Sequence, residues 1–213
     1  MNAYCISGLG ADQRVYNAIN ISASKIHLEW ITPFNGESLE KYAIRLGESI
    51  NTEEDFILIG VSFGGTIALE IAKYLHPKKT FLISSIDTYD QLPIIYRMIG
   101  EIKLISLLPV RIFNMPYRIA KFLFGTRQNI LKSILKDTDA TFVKWAINAL
   151  LTWRNKVVPT SIFKINGDKD LLLKAKYSDF TIKGGHHFMI VDRGNEISTI
   201  INNELRKLKE VKL

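Results

Sequence analysis

A mostly parallel β-sheet covered by helices is the fold class that this 213-residue sequence predicts. Three observations carry the prediction. Short apolar runs alternate with stretches of helical periodicity, the pattern of successive strand-helix-strand crossovers. Two late runs end in polar clusters, at the strand edge where open α/β sheets place their sites. The composition, 47% hydrophobic and 23% charged, is that of an ordinary globular chain, long enough to bury one sizeable core and short for two.

The elements follow in chain order. Residues 3–7 form a first strand that runs into Gly8 and Gly10, and residues 26–31 form a second. The turn Pro33-Phe34-Asn35-Gly36 then leads into a helix over 37–50, where Leu39, Tyr42, Ala43, Leu46 and Ile50 recur at helical spacing. The run Phe56-Ile57-Leu58-Ile59 marks a strand over 56–61. A helix over 65–75 carries Ile67, Ala68, Ile71, Ala72 and Leu75, and His76-Pro77 closes it. A fourth strand covers 80–84, a fifth 161–166 and a sixth 180–182. From Asn195 onward, Ile197, Ile200, Ile201, Leu205 and Leu208 share one face, which makes the last element a covering helix.

One interval breaks the alternation. Between the fourth and fifth strands no strand-like run occurs, and the chain reads as helices punctuated by Pro93, Pro109, Pro116 and Gly125. So long an excursion predicts a helical lid at about 88–156, inserted into a core of 1–87 and 157–213 within a single domain of 1–213. Its aromatics Phe113, Phe122, Phe124, Phe142, Trp145 and Trp153 are assigned to helix packing ahead of substrate contact.

The net charge of +7 and isoelectric point near 9.4 have a local origin. Residues 88–156 hold eleven Lys or Arg against four Asp or Glu, a surplus equal to that of the whole chain. These bases stand singly among Ile, Leu and Phe rather than in a run that would track a phosphate backbone, which argues against a nucleic-acid partner. Solvated faces of amphipathic helices are the first reading; attraction of anionic ligands, or membrane contact through the basic lid, is the second. The first residues reach Gly8 and Gly10 before a signal-peptide hydrophobic region forms, and no apolar run approaches a membrane span, so a cytoplasmic location is expected. Cys5, the single cysteine, can form neither an internal disulfide nor a thiolate metal site and is expected in the core.

The stretch Gly60-Val61-Ser62-Phe63-Gly64-Gly65 lies between a predicted strand and a predicted helix. This is the context of a nucleophile elbow, G-x-S-x-G. A sharp strand-to-helix turn lifts the serine out of the sheet edge in a strained conformation, and flanking glycines remove the collisions that side chains would cause. The same turn aims the Phe63 N–H and the helix N-terminus at the place where an attacked carbonyl develops negative charge. A glycine-rich turn with an incidental serine is the bland alternative, and the flanking strand and helix weigh against it. A serine hydroxyl needs a base and an acid to orient that base, expected in the order serine, acid, histidine. Gly167-Asp168-Lys169-Asp170 and Lys183-Gly184-Gly185-His186-His187-Phe188-Met189 supply both, each just past a predicted strand.

Over essentially its whole length the chain resembles the α/β-hydrolase family, in a compact form whose sheet begins at the strand that normally comes third. In that family an early His-Gly type turn precedes the elbow; here it is Ser7-Gly8-Leu9-Gly10, with serine in place of the usual histidine. The resemblance implies that the N–H of Leu9 joins that of Phe63 in an oxyanion hole. The family's G-x-x-D loop implies Asp170 as the acid and Asp168 as a turn residue, with Asp87, after the fourth strand, in reserve. For the base, the two glycines directly before His186 favour that residue. Relatives that read Gly-Gly-x-His-Phe-Met, and an acidic residue five positions on, met by Asp192, favour His187, which is taken as the base, with His186 as a wall of the site. His27 and His76 lack a catalytic neighbourhood. The resemblance thus implies a serine hydrolase acting on a carboxylic ester or thioester of a small acyl substrate, with no metal or organic cofactor. A haloalkane dehalogenase would carry aspartate at position 62. A binding protein of the same fold that turns over slowly or not at all is the alternative.

Overall fold

Side-chain alternation along the strands decides where the core forms. The computed structural model, which describes residues 1–126 and 128–210, contains a six-stranded sheet. Its strands are β1 (Asn2–Ile6), β2 (Ser24–His27), β3 (Phe56–Val61), β4 (Lys79–Ile83), β5 (Ile162–Gly167) and β6 (Phe180–Ile182). They lie in the order β2-β1-β3-β4-β5-β6, each neighbouring pair parallel. The register sets Cys5 opposite Ile59 and Ile59 opposite Phe81, so that row of side chains points to one face, while Tyr4 and Leu58 point to the other. β3 is buried at every position, which is why its sequence is apolar throughout instead of alternating.

Two helices follow the early strands, α1 (Leu39–Gly47) and α2 (Phe63–Leu75). Between β4 and β5 come α3 (Ile94–Glu101), α4 (Leu104–Leu107), α5 (Tyr117–Phe124), α6 (Ile130–Asp137) and α7 (Ala140–Thr152), with 3-10 turns at Tyr89–Gln91 and Val110–Phe113 and no strand among the described residues. The chain closes with α8 (Met189–Asp192) and α9 (Gly194–Glu210). Tyr4, Ile6, Leu58 and Leu82 face α1, α2 and α7, while Ala3, Cys5, Ile57, Ile59, Phe81 and Ile83 face the opposite core, which α9 covers through Ile197, Ile201 and Leu205. Each such fully buried Ile or Leu contributes about 1.5–3 kcal/mol.

Several helix boundaries between β4 and β5 fall where the prolines and glycine predict. Pro93 and Pro116 immediately precede α3 and α5, and Pro109 precedes a 3-10 turn, positions where a missing N–H costs nothing. Gly125 ends α5 at φ 65°, a left-handed cap. α7 is the member most deeply packed: Phe142 and Trp145 join Trp30, Tyr42 and Phe63 in one aromatic cluster, with the Tyr42 and Trp145 ring centroids 4.4 Å apart. Just beyond it, the fully buried Trp153 donates its Nε1–H to Glu70 Oε1 at 2.8 Å. Phe122 is the exception to the packing assignment, being exposed. Arg127, counted in the basic surplus of this segment, lies outside the described residues.

Most elements lie within two residues of their predicted bounds, and two depart further. β2 covers Ser24–His27 instead of 26–31, because its partner β1 ends at Ile6. After a last bond from Leu28 N to Cys5 O at 2.9 Å, Trp30 turns inward and donates to Ala11 O at 3.0 Å. α1 begins at Leu39 rather than 37, since Ser38 caps it and Glu37 instead accepts from Phe34 N at 2.9 Å and pairs with Arg45 at 2.8 Å.

Candidate active site

Ser62 sits between β3 and α2 at φ 53°, ψ −121°, a region that non-glycine residues rarely occupy. Three backbone bonds hold it there. Its N–H donates to Ile83 O at 2.9 Å, and its carbonyl accepts from Gly65 N at 2.9 Å and from Ser85 Oγ at 2.7 Å. The flanking glycines are required by close approach. A Cβ on Gly60 would lie 2.6 Å from Gly65 Cα and collide with the Gly64 carbonyl; one on Gly64 would lie 2.8 Å from Ile6 C, with the Ile6 and Ser7 carbonyls nearer still. Gly60→Ala is therefore expected to lower unfolding free energy by about 1–3 kcal/mol, the range for overpacking a tight site, read by urea denaturation. A stability within error of wild type would mean that the turn relaxes freely.

His187 meets this serine from the loop between β6 and α8. Its Nε2 lies 2.8 Å from Ser62 Oγ and its Nδ1 lies 2.8 Å from Asp170 Oδ2. Asp170, on the loop after β5, is 2% exposed, and its second oxygen accepts from Leu172 N at 2.8 Å and Leu173 N at 3.0 Å. Burial alone would raise the Asp170 pKa. The hydrogen bond and charge of His187, with the two backbone N–H groups, outweigh it and hold the carboxyl below its ordinary value. An ionised carboxylate on Nδ1 fixes the tautomer that leaves Nε2 free to accept the serine proton.

Backbone lacing brings the acid and histidine loops together. Lys169 N donates to Gly185 O at 2.9 Å and Asp168 N to Ile182 O at 3.2 Å. Gly167 and Gly185 cross so closely that a Cβ on Gly167 would lie 2.8 Å from Gly185 Cα. Asp168 accepts from Gly184 N at 2.6 Å, a bond from the acid loop to the histidine loop.

The turn at residues 7–10 lies against the serine, a Cβ on Gly8 falling 3.5 Å from Ser62 Cβ. Ser7 Oγ donates to Ala11 O at 2.8 Å, and Thr138, between α6 and α7, donates to Gly10 O at 2.8 Å. Among the described residues the N–H groups of Leu9 and Phe63 have no protein acceptor. Phe63 opens α2, so its N–H belongs to the first turn, whose amides lack intrahelical partners.

The remaining candidates are engaged elsewhere. Asp87 is buried in an ion pair with Lys164 at 3.2 Å and accepts from Gln91, so its carboxylate is not the one on His187. His186 lies over Gly125, whose added Cβ would be 2.5 Å from the His186 Cβ. Asp192, the acidic residue five positions beyond His187, accepts from Thr126 Oγ1 at 2.9 Å. His76 caps α2 in a left-handed conformation, and the His27 ring packs beside Tyr16 with neither nitrogen hydrogen-bonded. Sequence reasoning missed Ser85 and Thr138. Position alone, just past β4 and at a helix junction, was the available signal. Phe124, read there only as packing, has its ring centroid 5.5 Å from that of His187, and its carbonyl accepts from Phe188 N at 3.1 Å. Among the described residues no group of three or more His, Cys, Asp or Glu is arranged to hold a metal ion.

No protein-family model and no curated protein matches the sequence. Solved structures do. A hydrolase from Oleispira antarctica is similar with a TM-score of 0.72 and 13% identity, over 96% of this chain and 90% of that one. ClbQ from the colibactin NRPS/PKS pathway matches at 0.69 and 15% identity over 99% and 98%, and a lipase-esterase related protein from Clostridium acetobutylicum at 0.68 and 17% over 95% and 93%. At such identities the likeness concerns the fold.

Proposed function

We propose, on the premise that this chain has the α/β-hydrolase fold its structural neighbours share, that it is a serine hydrolase cleaving a carboxylic ester or thioester. The observation that carries the reading is the hydrogen-bonded series Ser62 Oγ, His187 Nε2, His187 Nδ1, Asp170 Oδ2, both contacts at 2.8 Å, with the serine on a strained strand-to-helix turn. Neighbours described as esterases and hydrolases support the reaction class.

The steps follow from the geometry. Ser62 attacks the acyl carbon while His187 Nε2 takes its proton, and Asp170 stabilises the imidazolium that forms. The N–H groups of Leu9 and Phe63 receive the oxyanion, a role in which one donor is worth roughly a hundredfold or more in rate. His187 returns the proton to the leaving alcohol or thiol, and water then releases the acyl group from Ser62. Residues 88–156 act as the lid of this site within the one domain. Thr138 holds the turn at 7–10 and Phe124 packs on His187, so the insertion touches both sides of the serine.

A fluorophosphonate probe tests the mechanism. Ser62 is expected to be labelled stoichiometrically in folded protein, located by mass spectrometry of the elbow peptide. Absence of labelling would favour a ligand-binding protein that keeps the fold without turnover, and label on another serine would displace the site.

A further inference from the structure

Amphipathic helices that cover a core should bury their apolar stripe, and the front of the insertion does so only in part. α3 and α4 pack inward on α7. Yet Ile94, Ile95, Met98, Ile102, Leu107 and Ile112 are 57–79% exposed. Isolated exposed apolar residues are commonplace; this many within nineteen residues on one layer are not. The unpaired charges among them carry one sign. Lys103 and Arg111, and Arg118 and Lys121 just beyond, are exposed and have no ion-pair partner among the described residues. The single acid of the stretch, Glu101, is neutralised by Arg154 at 2.8 Å.

We infer that this outward face, α3 and α4 with the turn at Val110–Phe113, docks on an anionic lipid bilayer surface. An apolar face studded with unpaired bases suits the headgroup boundary, where side chains such as Leu107 reach the acyl region and Lys103 and Arg111 meet lipid phosphates. A second copy of the chain fits less well, because its matching face would bring the same unneutralised positive charge. The contact is with the surface, since no described helix is long and apolar enough to cross a membrane. The inference goes beyond the hydrolase reading and does not depend on it.

Sedimentation of the full chain with vesicles tests it, comparing pure phosphatidylcholine with phosphatidylcholine containing phosphatidylglycerol at low ionic strength. Binding is expected to the anionic vesicles, weakened by salt, which screens the exposed bases. Lys103→Gln with Arg111→Gln is expected to weaken it about thirtyfold, the effect of two juxtamembrane charges. Leu107→Asp with Ile95→Asp is expected to weaken it comparably while leaving the circular dichroism unchanged, since both side chains are exposed. Failure to bind anionic vesicles at low salt would overturn the inference, as would binding indifferent to Leu107→Asp. So would a dimer in sedimentation velocity that Leu107→Asp dissociates, for then the face belongs to another copy.

Discussion

Ser62→Ala is expected to reduce turnover of a simple activated ester such as a p-nitrophenyl acyl ester by roughly 10⁴-fold to 10⁶-fold, the usual cost of deleting a serine nucleophile. The fold should survive. The hydroxyl makes one hydrogen bond, to His187, whereas the backbone bonds that set the turn, to Ile83, Gly65 and Ser85, do not involve it. Alanine also occupies φ 53° no less readily than serine, so no new strain enters. Thermal unfolding measured beside the kinetics separates the two effects. A variant that unfolds normally and still turns over the ester at an undiminished rate would end the serine mechanism, whichever acyl chain is used.

The paired histidines supply the second large effect. His187→Ala is expected to lower kcat/KM by about 10⁴-fold, because it removes the base on Ser62 and leaves the buried Asp170 carboxylate without its side-chain donor. Leaving that carboxylate unpaired is also expected to cost about 1.5–3 kcal/mol of stability. His186→Ala should change kcat/KM by less than about tenfold, since that ring rests over Gly125 and touches neither Ser62 nor Asp170. Kinetics on the two variants at one pH with one ester decide the matter. The reverse ranking would mean that the loop rearranges in solution so that residue 186 becomes the base.

Much of the fold could be read from local pattern because local pattern caused it. β3 is apolar throughout since helices cover both its faces, and Gly60 and Gly64 are glycines since the start of α2 and the end of β1 leave no room for a Cβ at either position. What escaped depends on distant partners. β2 does not run on to residue 31 because β1 ends at Ile6, one residue past the Cys5–His27 pair, and nothing in the residues of β2 records where a neighbour ends. The orientation of the His187 ring, unlike the choice of that residue, goes with Gly184 at φ 72° and the crossing of Gly185 over Gly167, two conformations that a glycine pair permits without announcing. The shared sheet edge of Ser62, His187 and Asp170 was thus legible as positions just after strands, while the orientation of the ring was not. The exposed apolar side of α3 and α4 was equally hidden. Periodicity identifies a stripe, and only the packing of α3 and α4 on α7 decides how much of that stripe is covered.

The anchoring of the insertion divides it into unequal parts. The end of α5 is tied to the histidine loop through Phe124 and Phe188 and through Thr126 and Asp192, and α7 is tied to the body through Trp145 Nε1 on Glu37 O at 2.9 Å and Trp153 on Glu70. A swing of either would drag the imidazole or tear the aromatic cluster. α3 and α4, which carry the bare isoleucines, hang from α7 and the segment just after it, through Lys144 Nζ on Ser106 O at 3.0 Å and the Arg154–Glu101 pair at 2.8 Å.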